Sequence, residues 1–221
     1  MKRLVLYMCL LLSVAVTLYS CNASRTAKGA GIGAGAGGVI GGVIGKATGN
    51  TAAGVIIGAA VGGATGAAIG RYMDKQAAEL QRDMKGATVE RVGEGIKITF
   101  DSGILYDINS DKLRPASVTN INNLSNTLKK YEDTNILIQG HTDNTGTREH
   151  NMGLSERRAE SVSRQIKANG VAPGRITTQG MGPDQPVASN DTETGRQQNR
   201  RVEVAIFANE KLKKAAERGD I

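Results

Sequence analysis

The sequence predicts an α+β fold: a ββ-α-β-α-β-β sandwich with helices packed on a mixed sheet, preceded by a glycine-zipper helical hairpin. Three observations carry this. Apolar residues between 88 and 208 switch between the two-residue period of strands and the three-to-four-residue period of helices. Sixteen of the 29 glycines fall between Gly29 and Gly70. The net charge of +7 lies outside the stretch that folds, because residues 88–208 hold fifteen basic and fifteen acidic side chains. Residues 22–87, in contrast, carry seven Lys/Arg against Asp74, Glu79 and Asp83.

These numbers also exclude several functions. A chain of 221 residues allows one domain of ordinary size with appendages. Two cysteines rule out a disulfide-stapled scaffold and a cysteine-rich zinc module. Aromatics at 3% leave no stacking platform for single-stranded nucleic acid. A balanced domain lacks the concentrated basic face that phosphate neutralisation requires, so no nucleic-acid partner is expected.

In chain order, Lys2 and Arg3 form a positive n-region and Leu4 to Leu18 an apolar stretch too short for a comfortable membrane span. It ends in Leu18-Tyr19-Ser20-Cys21, which resembles a bacterial lipobox, with Tyr19 where a small residue is usual. The resemblance implies removal of residues 1–20 and acylation of Cys21, leaving no thiol for a disulfide. Several acyl chains anchor stably where one binds marginally. Asn22, in place of an aspartate, leans towards the outer membrane by the same analogy.

After a linker at 21–28, Gly29, Gly33, Gly37, Gly41, Gly45 and Gly49 repeat every four residues, slip by one, and resume at Gly54, Gly58, Gly62, Gly66 and Gly70. Glycine costs about 1 kcal/mol relative to alanine in a helix, so close helix–helix packing must compensate. Two arms are expected, Gly29–Gly45 and Gly54–Gly70, each about 25 Å long. Residues 46–51 form the turn between them. The Ala/Ile/Val content argues against a flexible linker. Gly33, Gly35 and Gly38 fit a dinucleotide fingerprint, but chance suffices in such a stretch and no strand precedes it. Segment 29–70 resembles the glycine-zipper domains of outer-membrane lipoproteins, and self-association through Gly29–Gly70 is expected. Residues 71–87 form a helical spacer, with Met73, Ala77, Leu80 and Met84 on one face.

The domain opens with two strands around Gly93-Glu94-Gly95. Ile104–Ile108 extends or follows the second. Pro115 starts a helix to about Tyr131, with Val118, Ile121, Leu124 and Leu128 on one face. Asn135–Gly140 is a buried strand, and the polar loop Thr142–Asn151 follows. Ser155 to Asn169 is a helix closed by Gly170. Arg175–Gln179 is a strand, Gly180–Gln198 a long polar loop, and Asn199–Phe207 the closing strand. Residues 209–221 read as a charged tail.

His141, His150, Asp143 and Glu149 share a loop, but the spacing fits no metal-ligand motif. Ser155, His141 and Asp143 could be drawn as a triad, yet no nucleophile elbow accompanies them. Neither catalysis, a metal nor a cofactor is expected.

More specific are Gly140-His141-Thr142-Asp143-Asn144-Thr145-Gly146, Asn151-Met152-Gly153-Leu154-Ser155-Glu156-Arg157-Arg158-Ala159 and Asn199-Arg200-Arg201-Val202-Glu203. With Tyr106-Asp107-Ile108-Asn109 and Leu113-Arg114-Pro115, they resemble the OmpA-like peptidoglycan-binding domain over residues 88–208. The resemblance implies binding of the peptidoglycan stem peptide through diaminopimelate, whose side-chain ammonium and carboxylate would meet Asp143 and Arg158. It places Thr142, Asn144, Asn109, Asn151 and Leu154 around that pair, Asp107 more weakly, and Arg200 and Arg201 in support of the sheet or rim. A protein so built is expected to sit at the outer membrane, held by lipid on Cys21, with its domain in the periplasm tying membrane to wall. The competing expectation is an envelope assembly protein whose zipper inserts or oligomerises.

Overall fold

A computed structural model describes residues 51–107 and 110–221. Cys21, Asn109, the first glycine arm and the leader lie outside the described residues.

Helix α1 (Thr51–Ala59) and helix α2 (Gly63–Asp83) precede a hairpin of β1 (Ala87–Val92) and β2 (Gly95–Asp101). A short α3 (Ser102–Leu105) leads to α4 (Pro115–Lys130) and β3 (Thr134–His141). Helix α5 (Arg148–Ala168) crosses over to β4 (Ile176–Gly182), and α6 (Glu193–Asn199), β5 (Arg201–Ala208) and α7 (Glu210–Arg218) complete the chain. The five strands lie in the order β1-β2-β5-β3-β4. Only β3 and β4 run parallel, joined through α5, so the sheet is mixed as expected.

Ile96, Ile98, Phe100, Ile136, Ile138, Val202, Val204 and Ile206 point from the sheet into one core. Ile69, Met73 and Leu80 of α2 meet them there, with Ile121, Leu124 and Leu128 of α4 and Ala159, Val162 and Ile166 of α5. The periodicity read from the sequence therefore marks the buried faces. Pro115 stands in the first turn of α4, where its missing N–H costs nothing. The side chain of Thr147 caps α5 by accepting from the His150 amide at 3.2 Å.

Central strand β5 is buried on both faces. On the second face Leu137, Ala205 and Phe207 are covered by Ala52, Val55 and Ile56 of α1. Helices thus lie on both sides of the sheet.

The second glycine arm differs from the single helix expected over Gly54–Gly70. Gly62 and Gly63 take left-handed backbone (φ 71° and 64°) and divide it into α1 and α2. The carboxylate of Glu94, at the tip of the β1–β2 hairpin, accepts from the Val61 and Gly62 amides at 2.9 and 2.8 Å. It supplies the anionic cap that Gly62 cannot. A Cβ on Gly66 would lie 2.0 Å from Glu94 Oε1, and Arg91 Nη2 donates to the carbonyl of Gly70 at 3.4 Å. Gly66 and Gly70, four residues apart, face the hairpin of their own domain.

Other boundaries move for similar reasons. Ile69, Met73, Ala77 and Leu80 form one buried stripe, so α2 runs through the border expected at Gly70. The expected tail is α7, capped by Asn209 and anchored in the core by Leu212 and Ala216. The expected polar loop contains α6, capped by Thr192. Among the described residues no helix is long and apolar enough to cross a membrane.

Two glycine substitutions separate backbone from side-chain crowding. A Cβ on Gly140 would lie 2.0 Å from the Ser155 carbonyl oxygen of α5, whereas on Gly66 it meets only the end of a flexible glutamate. Gly140→Ala is expected to cost roughly 2–4 kcal/mol in urea unfolding. Gly66→Ala is expected to stay within about 1 kcal/mol of wild type, because gained helix propensity offsets a displaced Glu94.

Candidate functional site

The seat of α5 on the sheet builds the site. Gly140 and Gly180 present bare backbone to Ser155 and Glu156. The Ser155 hydroxyl donates to the Met152 carbonyl at 2.8 Å and accepts from the Gly182 amide at 2.9 Å. Ser155 is fully buried and pins helix to strand; it assembles no triad with His141 and Asp143. Beyond β3, the Thr142 amide donates to the Gly182 carbonyl at 2.9 Å. That contact fixes where Asp143 emerges.

A cleft of about 520 Å³ opens at this end of the sheet. Thr142, Asp143, Asn151, Leu154 and Arg158 line it. Thr145, His150, Glu193, Arg196 and Arg200 complete its walls. Asn144 follows Asp143 in an exposed turn and is not among the lining residues, whereas Thr145 is. Asp107 is also outside the cleft, in a 3.6 Å ion pair with Arg114.

Asp143 is 7% exposed. One carboxylate oxygen accepts from the Thr145 amide at 2.8 Å and the other from Arg200 Nη1 at 2.6 Å. Burial opposes its ionisation, but hydrogen bonds from Arg200 and Thr145 outweigh burial and hold the carboxyl below its ordinary value. Arg200 also donates to Glu193 at 2.6 Å, and Glu193 accepts from Arg196 at 3.0 Å. Arg200 is therefore a site residue that the sequence reading left at the rim. Arg201 does support the sheet, through a buried 2.6 Å pair with Glu203.

Arg158 is buried with no ion-pair partner among the described residues. Its Nε donates to the Ser110 carbonyl at 3.0 Å, and its guanidinium carbon lies 5.0 Å from the centre of the Tyr106 ring. Tyr106 returns a hydrogen bond to the Arg158 carbonyl at 2.7 Å. Burial lowers the arginine's proton affinity, with Arg200 adding repulsion, but a guanidinium stays charged. Asn151 donates to the Thr145 carbonyl at 2.9 Å and braces the loop.

His141 is buried, and neither ring nitrogen has a partner among the described residues. Burial and Arg201 push its pKa well below the ordinary value, so the ring is neutral. Among the described residues no three metal-binding side chains converge.

Fold and cleft together define an α+β recognition module that offers one buried anion and one buried cation. The sequence model of the OmpA family matches residues 105–200, and that of the YMGG-like Gly-zipper matches residues 1–74. The outer-membrane lipoprotein YfiB of Pseudomonas aeruginosa is 36% identical over 115 residues, covering 52% of this chain and 68% of that protein. The probable lipoprotein YiaD of Escherichia coli K12 is 40% identical over 137 residues, 61% of this chain and 63% of that one. Among solved structures, the cell wall anchor of the T6SS from Pseudomonas aeruginosa superposes with a TM-score of 0.55 at 28% identity, covering 62% of this chain and 97% of that one. The chain belongs to the OmpA family. It spans only 34–63% of the length of several other relatives, including YiaD and porin F of Pseudomonas aeruginosa.

The depressed carboxyl of Asp143 has a pH consequence. Its contribution to stability is present in full above the ordinary carboxyl pKa of about 3.9 and is lost as pH falls through the lower folded value. The stability gap between wild type and Asp143→Asn is therefore expected to be largest near neutrality and to shrink below about pH 4. Urea titrations across that range check it; a pH-independent gap contradicts it.

Proposed function

We propose that this chain is a non-enzymatic, lipid-anchored tether that binds the peptidoglycan stem peptide through diaminopimelate. Arg158 carries the reading: it is buried and charged, lines the same cleft as Asp143, and has no carboxylate partner among the described residues. A buried guanidinium without an anion is costly, and a ligand carboxylate relieves that cost. The diaminopimelate side chain ends in one carbon bearing both carboxylate and ammonium. The carboxylate pairs with Arg158, and the ammonium takes a place at Asp143 beside Arg200. Leu154 meets the methylene stem, while Thr142 and Asn151 keep the loop in shape. The likeness to a cell wall anchor supports this substrate class.

In this reading the acyl chains on Cys21 hold the protein at the outer membrane and the domain faces the periplasm. Gly66 and Gly70 already face the hairpin, so self-association through the glycine segment draws on its other glycines.

The test is co-sedimentation of the full chain with purified diaminopimelate-type sacculi. Wild type is expected to sediment without releasing wall fragments. Asp143→Asn and Arg158→Gln, checked for native circular dichroism, are expected to weaken binding at least about tenfold. Retention of both variants at wild-type levels overturns the site assignment. Cys21→Ser is expected to move the protein from the membrane to the soluble fraction while leaving sacculus binding intact.

A further inference from the structure

We propose that a second cleft, on the outer face of the sheet, is a subsite for the uncharged N-acetylated sugar that carries the stem peptide. The inference rests on the stem-peptide reading and extends it along the same polymer.

This cleft has a volume of about 440 Å³, the scale of one or two sugar rings. Its floor is a polar row continuous across neighbouring strands: Thr88 of β1 pairs with Thr99 of β2, and Thr99 with Glu203 of β5. Lys97, Asp101, Gln197, Gln198 and Arg201 add to the lining.

The charges in the cleft are already matched. Lys97 pairs with Glu90 at 2.9 Å and Arg201 with Glu203 at 2.6 Å. Asp101 accepts from the Gly103 amide at 2.6 Å and from Gln197 at 3.2 Å. No surplus charge recruits an ion. What the cleft offers instead is hydroxyl and amide groups, Thr88, Thr99, Gln197 and Gln198, suited to sugar hydroxyls and an acetamide.

Its rim is apolar. Ile104 is 38% exposed and Val187 is 51% exposed, two of the five large hydrophobic side chains left open among the described residues. Apolar side chains beside hydroxyl and amide donors fit the C–H face of a pyranose and the acetamide methyl.

Continuity with the first cleft selects the sugar of this polymer over a free saccharide. Asp101 and Gln197 line both clefts, and their hydrogen bond forms the shared wall. Diaminopimelate is the third residue of the stem, so two residues, about 7 Å of extended chain, and the length of its own side chain link the sugar to the groups seated in the first cleft.

The experiment measures calorimetric affinity of the full chain for a diaminopimelate tripeptide and for the same tripeptide on its N-acetylated disaccharide. The disaccharide form is expected to bind about tenfold more tightly. Thr88→Glu and Val187→Asp, at exposed positions that do not line the first cleft, are expected to erase that difference while leaving tripeptide affinity unchanged. Asp143→Asn is expected to weaken both ligands. Equal wild-type affinity for the two, with tripeptide binding intact, overturns the subsite alone. Failure of the tripeptide to bind overturns the stem-peptide reading and this one with it.

Discussion

Helix α5 lies on the bare backbone of two strands, and the site depends on that contact. With Cβ atoms at Gly140 and Gly180 the helix could not reach the sheet where it does. Ser155 turns proximity into register by bonding the Gly182 amide, and the Gly182 carbonyl in turn holds Thr142. Asp143 leaves the end of β3 while Arg158 comes from the middle of α5, so each is placed by the same seam. Packed interiors resist shifts of even a few tenths of an ångström. The spacing of the two charges is thus inherited from the core and not from the mobility of a loop.

The two charges are held in different states of readiness. Asp143 is satisfied by Arg200 and Thr145, whereas Arg158 has a carbonyl and an aromatic face but no anion among the described residues. Such asymmetry suits a zwitterionic ligand. In the proposed reading the ligand's anionic end would meet an unmet need, and its cationic end would enter a shell where a guanidinium already neutralises the aspartate. The line Asp143–Arg200–Glu193–Arg196 gives Arg200 a second carboxylate to rest on when the first is shared. In that reading, stability and ligand recognition draw on the same ion pairs.

Much of this was legible in the sequence, unevenly. Long elements with one clear apolar face, such as α4 with Ile121, Leu124 and Leu128, could be read from spacing alone. Asp143, Arg158, Asn151 and Leu154 came from local motifs. Helix α6 escaped because it is short and has no apolar stripe; Thr192 before Glu193 was its one signal. Helix α7 had more, with Asn209 as cap, Leu212 and Ala216 four apart, and Gly219 to close it. Arg200 and Arg201 are adjacent arginines with opposite destinations, one to the cleft and one to a buried pair, because Arg200 caps α6 while Arg201 opens β5. The glycine row was ambiguous for a physical reason: spacing of four permits close approach but does not name what approaches. At Gly66 and Gly70 it is the hairpin, through Glu94 and Arg91.

The docking of α1 over Leu137, Ala205 and Phe207 also moves the edge of the folding unit. The stretch that matches the OmpA family begins at residue 105, yet the second face of β5 is covered by Ala52, Val55 and Ile56. A chain cut just before β1 would keep every strand and still leave Leu137, Ala205 and Phe207 open to water. The second glycine arm is therefore cover for the sheet as well as a continuation of the repeat.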